Sequence, residues 1–253
     1  MKYNTPLPVE HPPKSFTIEP YLNEENLEHR LEAPSEDHPD SHHVILAHYD
    51  DTSILVYQAF SPQIADYAVQ HQKFEGCSVY KLGRMTWIKP SFLWMQYRSR
   101  WNTKDDFQKR TLCIRLKRTY FDGLVNDSVK SNFKEGSSPI KTKEEWLEAR
   151  KASSVVVQWD PDYTPSLIPE RINTKRRAIQ LGLKGKASSR LAKGVNLENI
   201  DKSDILSIED VTPFVDEMRG RLEADQEKPN DERFSNIWIP IERPYFVDPN
   251  ASL

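Results

Sequence analysis

Few cysteines and no long apolar segment are present in this sequence. Only Cys77 and Cys113 occur among the 253 residues, and they form no CxxC pair, so neither a disulfide framework nor a paired-cysteine zinc site is indicated. No apolar run approaches the roughly 18 residues that a bilayer-spanning helix needs. The N-terminal MKYNTPLPVEHPP also lacks the apolar segment of a secretory signal. We therefore expect an intracellular, cytoplasmic protein without a membrane partner.

The motifs of several enzyme classes are also missing. There is no GxSxG nucleophile elbow, no HExxH zinc motif and no GxxxxGK[ST] phosphate loop. The dinucleotide fingerprint and the catalytic-loop motif of kinases are absent as well. His38, His42 and His43 form a loose trio in a polar stretch, which is typical of solvated side chains. No metal site is predicted, and no cofactor is indicated.

Composition divides the chain into an acidic N-terminal part and a folded remainder. The mean hydropathy of −0.72 is low for a compact enzyme, and 18 prolines also indicate that part of the chain is disordered. Residues 1–50 contain ten Asp or Glu and only three Lys or Arg. We predict a flexible acidic arm over residues 1–42, a single domain over 43–222, and a C-terminal extension over 223–253 that packs on this domain.

The folded part alternates between strand and helix patterns. VILAHYD and SILVYQAF predict two strands joined by a tight turn, and Ser61-Pro62 begins a helix. Thr142 and Glu145 form a capping box at the start of another helix. VVVQWD is the most apolar strand, and AIQLGL predicts a strand that ends in glycine turns. Mixed short strands and helices around one sheet-based core predict the α+β class.

Positive charge is concentrated in two blocks. Eleven Lys or Arg lie between Lys81 and Arg118 against two Asp, although the whole chain carries a net charge of −3. A second block, Arg171–Lys193, contains eight Lys or Arg and no acid. Concentrated cations attract anionic partners, and neighbouring aromatic rings suit stacking on nucleotide bases. We expect both blocks to face one cavity. The alternative is that the tryptophans are core residues, the arginines extend to water, and the second block is a solvated loop.

The segment KPSFLWMQYRSRW within the first block predicts a helix from Pro90 to about Trp101. By helical spacing, Trp94, Arg98 and Trp101 share one stripe. The preceding Met85–Lys89 predicts a short strand.

Several of these segments together resemble the domain-of-unknown-function family 4291. The resemblance covers about residues 44–219 and is carried in order by VYQAF, SPQIADYAV, RMTWIKPSFLWMQYRS, QWDPDYTP, RRAIQLGL and SIEDVTPFV. Members of that family more often have an arginine in the first strand, where this chain has Leu46. The resemblance implies a shared fold unit and no particular reaction.

The predicted function is binding of a phosphate-bearing ligand, a nucleotide or an RNA end, in a basic pocket with aromatic walls. Arg84, Lys89, Arg98 and Arg177 are the predicted phosphate ligands, Tyr49, Tyr57 or Trp87 would stack, and Gln58 and Gln180 complete the ligand-binding set. The partner is thus an anionic small molecule or a nucleic-acid end.

Two other functions stay open. An NAD-using ADP-ribosyltransferase-like enzyme would use Glu209 as its catalytic acid, although Glu209 also fits a helix N-terminal carboxylate. The other alternative is a non-catalytic accessory protein of a pathway, for instance a biosynthetic one.

Overall fold

A computed structural model describes residues 6–31, 44–134, 140–172 and 177–253. Its strands are β1 (Ile18–Pro20), β2 (Ile45–Ala47), β3 (Ser53–Phe60), β4 (Thr86–Ile88), β5 (Arg110–Lys117), β6 (Val129–Lys130), β7 (Val155–Pro161), β8 (Arg177–Leu183), β9 (Ile205–Asp210), β10 (Trp238–Pro240) and β11 (Arg243–Tyr245). Its α-helices are α1 (Glu24–Leu31), α2 (Pro62–His71), α3 (Phe92–Ser99), α4 (Arg118–Asn126), α5 (Lys143–Ala152), α6 (Gly185–Ala192), α7 (Thr212–Ala224) and α8 (Asn230–Arg233). A short 3₁₀ helix spans Ile200–Lys202. The protein is α+β, as predicted.

Two sheets form the centre of the fold. One has the strand order β3-β5-β9 and the other β4-β8-β7-β6. They meet at their edges, because Tyr57 of β3 and Lys89, directly after β4, exchange backbone hydrogen bonds of 2.7 and 3.3 Å. A cleft opens beside this junction.

The strand β3 is buried on both faces, which explains its unbroken apolar sequence. Ile54 and Val56 belong to a core cluster shared with the second sheet, whereas Leu55 and Tyr57 belong to a cluster beneath α3 and α7. Successive side chains of a strand point to opposite faces. The sheet is therefore covered on both sides.

The pairing of β2 differs from the predicted hairpin. The turn between β2 and β3 forms as expected, with the Asp50 carboxylate accepting backbone N–H groups of Thr52 and Ser53 at 2.9 and 2.7 Å. Beyond the single Tyr49–Ile54 bridge, however, β2 pairs with β11 near the C-terminus. A distant segment thus takes the place of the sequence neighbour.

The segment after β8 is helical, although its glycines predict turns. Within α6, Ala187 and Leu191 are at most 4% exposed and join the main core cluster. The gain from burying this apolar face outweighs the weak helix propensity of Gly185.

Part of the predicted arm lies within the described residues and contains β1 and α1. Here β1 pairs with β10, and Phe16 and Tyr21 are buried, at 7% and 3% exposure. The Phe16 ring meets Tyr57 edge-on at 6.2 Å. Burial of these apolar side chains favours a packed segment although its overall composition is acidic. Residues 1–5 and 32–43 of the arm lie outside the described residues, as does the histidine trio.

The C-terminal extension packs on the domain. The helix α7 continues through the predicted boundary at residue 222, and β10 and β11 pair with strands from the N-terminal third of the chain. Arg243 donates to both carboxylate oxygens of Glu19, at 2.6 and 2.9 Å, and also pairs with Glu25. The first and last segments of the described chain are thereby joined.

Candidate ligand-binding cleft

A cleft of about 960 Å³ opens at the junction of the two central sheets, beside α3. We call it the cleft. Its lining residues are Gln58, Ala59, Phe60, Ser61, Ile64, Val79, Tyr80, Lys81, Arg84, Met85, Thr86, Trp87, Lys89, Trp94, Met95, Tyr97, Arg98, Asp105, Phe107, Gln108, Gln158, Asp160 and Gln180. Four of these are Lys or Arg, two are Asp, and four are Gln.

The helix α3 brings an aromatic ring and a cation to one wall. The Ser91 hydroxyl caps it by accepting from the Trp94 backbone N–H at 3.4 Å. Trp94 and Arg98 are four residues apart and both line the cleft, as helical spacing requires. The helix is shorter than predicted, because Arg100 and Trp101 have positive φ angles of 50° and 53°. Trp101 consequently turns into the core, at 2% exposure, instead of sharing the stripe.

Lys89 lies at the base of the cleft and is only 6% exposed. Its Nζ donates a long hydrogen bond of 3.4 Å to the Trp87 carbonyl, and within the described part of the chain no carboxylate lies within 4.0 Å of it. The pKa of the Lys89 ammonium is lowered to about 7, mainly by burial and also by the charges of Arg98 and Lys104, while Asp160 opposes the shift.

The neighbouring cations also lack ion pairs. Burial and the charge of Arg98 lower the pKa of Lys104. In the described residues neither Arg84 nor Arg98 forms a salt bridge, whereas Arg110 and Arg190 on other surfaces are paired with aspartates. Among the described residues these cations have no ion-pair partner, so they repel one another, and Asp160 and Asp105 offset only part of that repulsion.

A carboxylate and two amides form the opposite wall. The two Asp160 oxygens accept from Gln158 Nε2 at 2.7 Å and from Gln180 Nε2 at 2.8 Å. Gln158 and Gln180 are direct cross-strand partners in β7 and β8, and Asp160 is two residues further along β7. The period of a strand places all three on one face, which is the face that lines the cleft.

Gln58 of β3 is a third fixed amide. Its Nε2 donates to Thr86 Oγ1 at 2.6 Å and to the Trp87 carbonyl at 3.0 Å. The side chain is 3% exposed, and its Oε1 has no hydrogen-bond partner. The indole Nε1 of Trp94 is likewise buried without a partner. Unpaired buried polar atoms are uncommon, and these two belong to residues that line the cleft.

Stacked rings support the wall that α3 provides. Tyr97 lies on Tyr163 with ring centroids 3.6 Å apart and 9° between the planes, and Trp94 stacks on Tyr97 at 4.9 Å. Phe107, which is 77% exposed, lines the rim. The cleft thus presents aromatic surface beside its cations.

The structure places six of the predicted ligand-binding residues in the cleft. They are Gln58, Arg84, Trp87, Lys89, Arg98 and Gln180.

The other predicted binding residues lie elsewhere. Tyr57 is fully buried, its ring edge-on to Phe92 at 5.5 Å, so it has no free face for stacking. The Tyr49 hydroxyl donates to the Pro244 carbonyl at 2.9 Å, and its ring packs against Tyr245. Arg177 begins β8 opposite Pro161 and is not among the lining residues.

Glu209, the predicted catalytic acid, is also outside the cleft. It lies on β9 opposite Cys113, and its carboxylate accepts backbone N–H groups of Lys14 and Ser15 at 2.8 and 2.7 Å. Its contacts therefore anchor the N-terminal segment. Cys113 is itself fully buried, and burial raises the pKa of its thiol well above the usual range.

The second basic block contributes little to the cleft. Gln180 is its lining residue, while Lys184 donates to the Arg150 carbonyl and Arg190 pairs with Asp204. Lys175 and Arg176 lie outside the described residues. Among the block's described cations none lines the cleft, so the two blocks do not face each other across it as predicted.

Gln158 and Asp160 were not predicted as site residues. The signal for them is the alternation in VVVQWD, where Gln158 and Asp160 share a face opposite Trp159. Polar side chains on one face of an apolar strand indicate a wall that is not part of the core.

Comparison with protein families identifies this fold unit. The family described as Domain of unknown function (DUF4291) matches residues 44–245. The chain belongs to this family. The DUF4291 match includes every residue that lines the cleft. No curated protein matches the chain.

Among the described residues, no helix has the length and apolar character needed to cross a membrane. In the same ranges, no group of three or more His, Cys, Asp or Glu side chains is arranged to hold a metal ion.

Proposed function

We propose that this DUF4291 protein binds a phosphate-bearing ligand, a nucleotide or an RNA end, in the cleft. The observation that carries the proposal is Lys89, a buried ammonium group without a contacting carboxylate that faces Arg98 and Lys104. Burying a charged lysine among other cations destabilises the empty protein. An anion held between these groups removes that repulsion, and a phosphate also satisfies their many N–H donors.

The remaining walls favour a nucleotide over a simple anion. Trp87 and Phe107 offer aromatic surface, and stacking on a base contributes roughly 1 to 3 kcal/mol at such sites. The volume of about 960 Å³ is within the range of small-molecule sites, and it exceeds what inorganic phosphate needs.

The geometry gives less support to the two alternatives. The acids that line the cleft are Asp105 and Asp160, so ADP-ribosyl transfer with Glu209 as its acid lacks a route to a ligand bound there. A purely accessory protein has no need for a buried, unpaired lysine at the base of an open cleft, because such a group lowers stability.

Calorimetric titration with ATP, inorganic tripolyphosphate and a 5′-phosphorylated RNA oligonucleotide tests the proposal. We expect Lys89→Ala and Arg98→Ala each to weaken binding about tenfold or more, since charge-assisted hydrogen bonds contribute roughly 1.5 to 3 kcal/mol. The control is Lys151→Ala, which removes an exposed lysine on α5 away from the cleft.

The folding of each variant is checked by thermal denaturation. Unchanged binding in both Lys89→Ala and Arg98→Ala, or no binding of any of the three ligands to the natural protein, overturns the proposal. If the oligonucleotide binds and ATP does not, the ligand is an RNA end.

A further inference from the structure

The amides of Gln158 and Gln180 are held in one orientation by Asp160. A carboxylate accepts hydrogen bonds and donates none, so each glutamine turns its NH₂ group towards Asp160. The carbonyl oxygens must then point away from the carboxylate. Both glutamines line the cleft, and no described residue donates to either oxygen. Two acceptors on adjacent strands are thus fixed beside Lys89.

Gln58 is oriented by the same logic. The Trp87 carbonyl is an acceptor, so the nitrogen of the Gln58 amide faces it. Its Oε1 is left without a partner although the side chain is 97% buried. The protein therefore carries three amide oxygens around a cleft whose other walls carry cations and rings.

We infer that these oxygens recognise a nucleobase that carries an exocyclic amino group. Amide oxygens need N–H or O–H donors, and the phosphate of the proposed ligand has none to give when ionised. Adenine, cytosine and guanine each have an exocyclic NH₂ donor, whereas uracil and hypoxanthine have an oxygen or a hydrogen at the corresponding positions. A planar base stacked on Trp87 would direct its edge at these amides.

This inference rests on the proposed function but is tested separately from it. We compare dissociation constants within matched pairs, CTP against UTP, ATP against ITP and GTP against ITP, with inorganic tripolyphosphate as a base-free probe. We expect the amino-bearing member to bind about fivefold to tenfold more tightly in at least one pair, the effect of roughly one hydrogen bond.

Two variants test whether the amides are responsible. Asp160→Asn replaces one carboxylate oxygen by an NH₂ group, so one glutamine loses its fixed orientation. Gln180→Met removes an acceptor at similar volume. We expect each variant to reduce the discrimination within the responding pair to about twofold or less. Lys151→Ala is again the control, and thermal denaturation confirms folding.

The outcomes separate the two proposals. If tripolyphosphate and all nucleotides bind but the members of every pair bind alike, the inference is overturned and the proposed function stands. Discrimination that persists unchanged in both variants also overturns it. The inference is overturned as well if 2′,3′-dideoxynucleotides, which lack the sugar hydroxyls, bind more weakly while the exocyclic amino group has no effect on affinity. If no phosphate compound binds, both proposals are overturned.

Discussion

Among the side chains of the cleft, Lys89 combines burial with a lack of contacting acids. The sequence offers no sign of this, because a lysine before a proline is usually exposed. The backbone bonds to Tyr57 fix the residue at the sheet junction, and its buried side chain lines the cleft. Its charge is therefore unfavourable in the empty protein.

Replacing Lys89 by methionine should stabilise the empty protein. The pKa of Lys89 falls from an ordinary 10.5 to about 7 on folding. Between these pH values the unfolded chain therefore binds more protons than the folded protein. The destabilisation of the folded protein by Lys89 is full below about pH 7 and disappears as the pH rises through 10.5. Near pH 7 we expect Lys89→Met to raise the free energy of unfolding by on the order of 2 to 4 kcal/mol.

Urea denaturation across this pH range measures the effect. The gain in stability should shrink steadily from pH 7 towards pH 10, and Lys151→Met should show no such trend. A variant less stable than the natural protein at neutral pH would mean that the ammonium group is stabilised by contacts in the folded state.

The strand pair β4–β8 positions Trp87, which lies on β4. The pairing depends on a close approach of the Trp87 and Val156 side chains to the backbone of Gly182. Gly182 pairs with both Trp87 and Val156. A Cβ atom there would lie 2.8 Å from Val156 Cγ2 and 3.0 Å from Trp87 Cη2. The absent side chain thus makes room for the indole beside the cleft.

Gly182→Ala should therefore displace Trp87. We expect a loss of about 1 to 3 kcal/mol in stability, as for other overpacked sites. We also expect a larger loss of affinity for nucleotides than for tripolyphosphate, because the Trp87 ring would stack on the base. Thermal denaturation and calorimetry measure the two effects. Gly220→Ala is the control, since nothing lies within 4 Å of its Cβ position and a helical alanine is favoured over glycine. Equal losses for both ligands would contradict a stacking role for Trp87.

Across the whole chain, the C-terminal segment helps to position the cleft. Glu242, which is fully buried, accepts the backbone N–H of Phe92 at 2.6 Å. Phe92 is the first residue of α3, where an unpaired N–H and the helix dipole both favour a carboxylate. A residue of the predicted extension therefore fixes the helix that carries Trp94 and Arg98.

Glu242→Ala should affect both stability and binding. Leaving a buried N–H without its partner costs roughly 1 to 3 kcal/mol, and a shifted α3 should also lower affinity for ATP, while Glu242→Gln should recover part of both because its carbonyl still accepts. Glu217→Ala is the matched control. Glu217 lies on α7, away from the cleft, and its carboxylate accepts the backbone N–H groups of Glu10 and His11. If both alanine variants lose stability alike and neither loses affinity, Glu242 has no positioning role.

Local patterns predicted much of the secondary structure. The capping box of Thr142 and Glu145 begins α5 as expected, and Ser61-Pro62 begins α2. The family resemblance was also confirmed. These features depend on residues within about one helical turn of each other or on ordered motifs, and both can be read along the chain.

The sequence by itself determined many of the elements, the α+β class and the concentration of cations around α3. Tertiary structure alone decided which side chains meet. Strand pairing brought Gln158, Asp160 and Gln180 to the cleft beside Lys89, turned Tyr57 into the core, and directed Glu209 to the N-terminal segment. The physical reason is that a strand's alternation divides its residues between two faces, but the partners on either side, distant in sequence, decide which face becomes core and which lines a cleft.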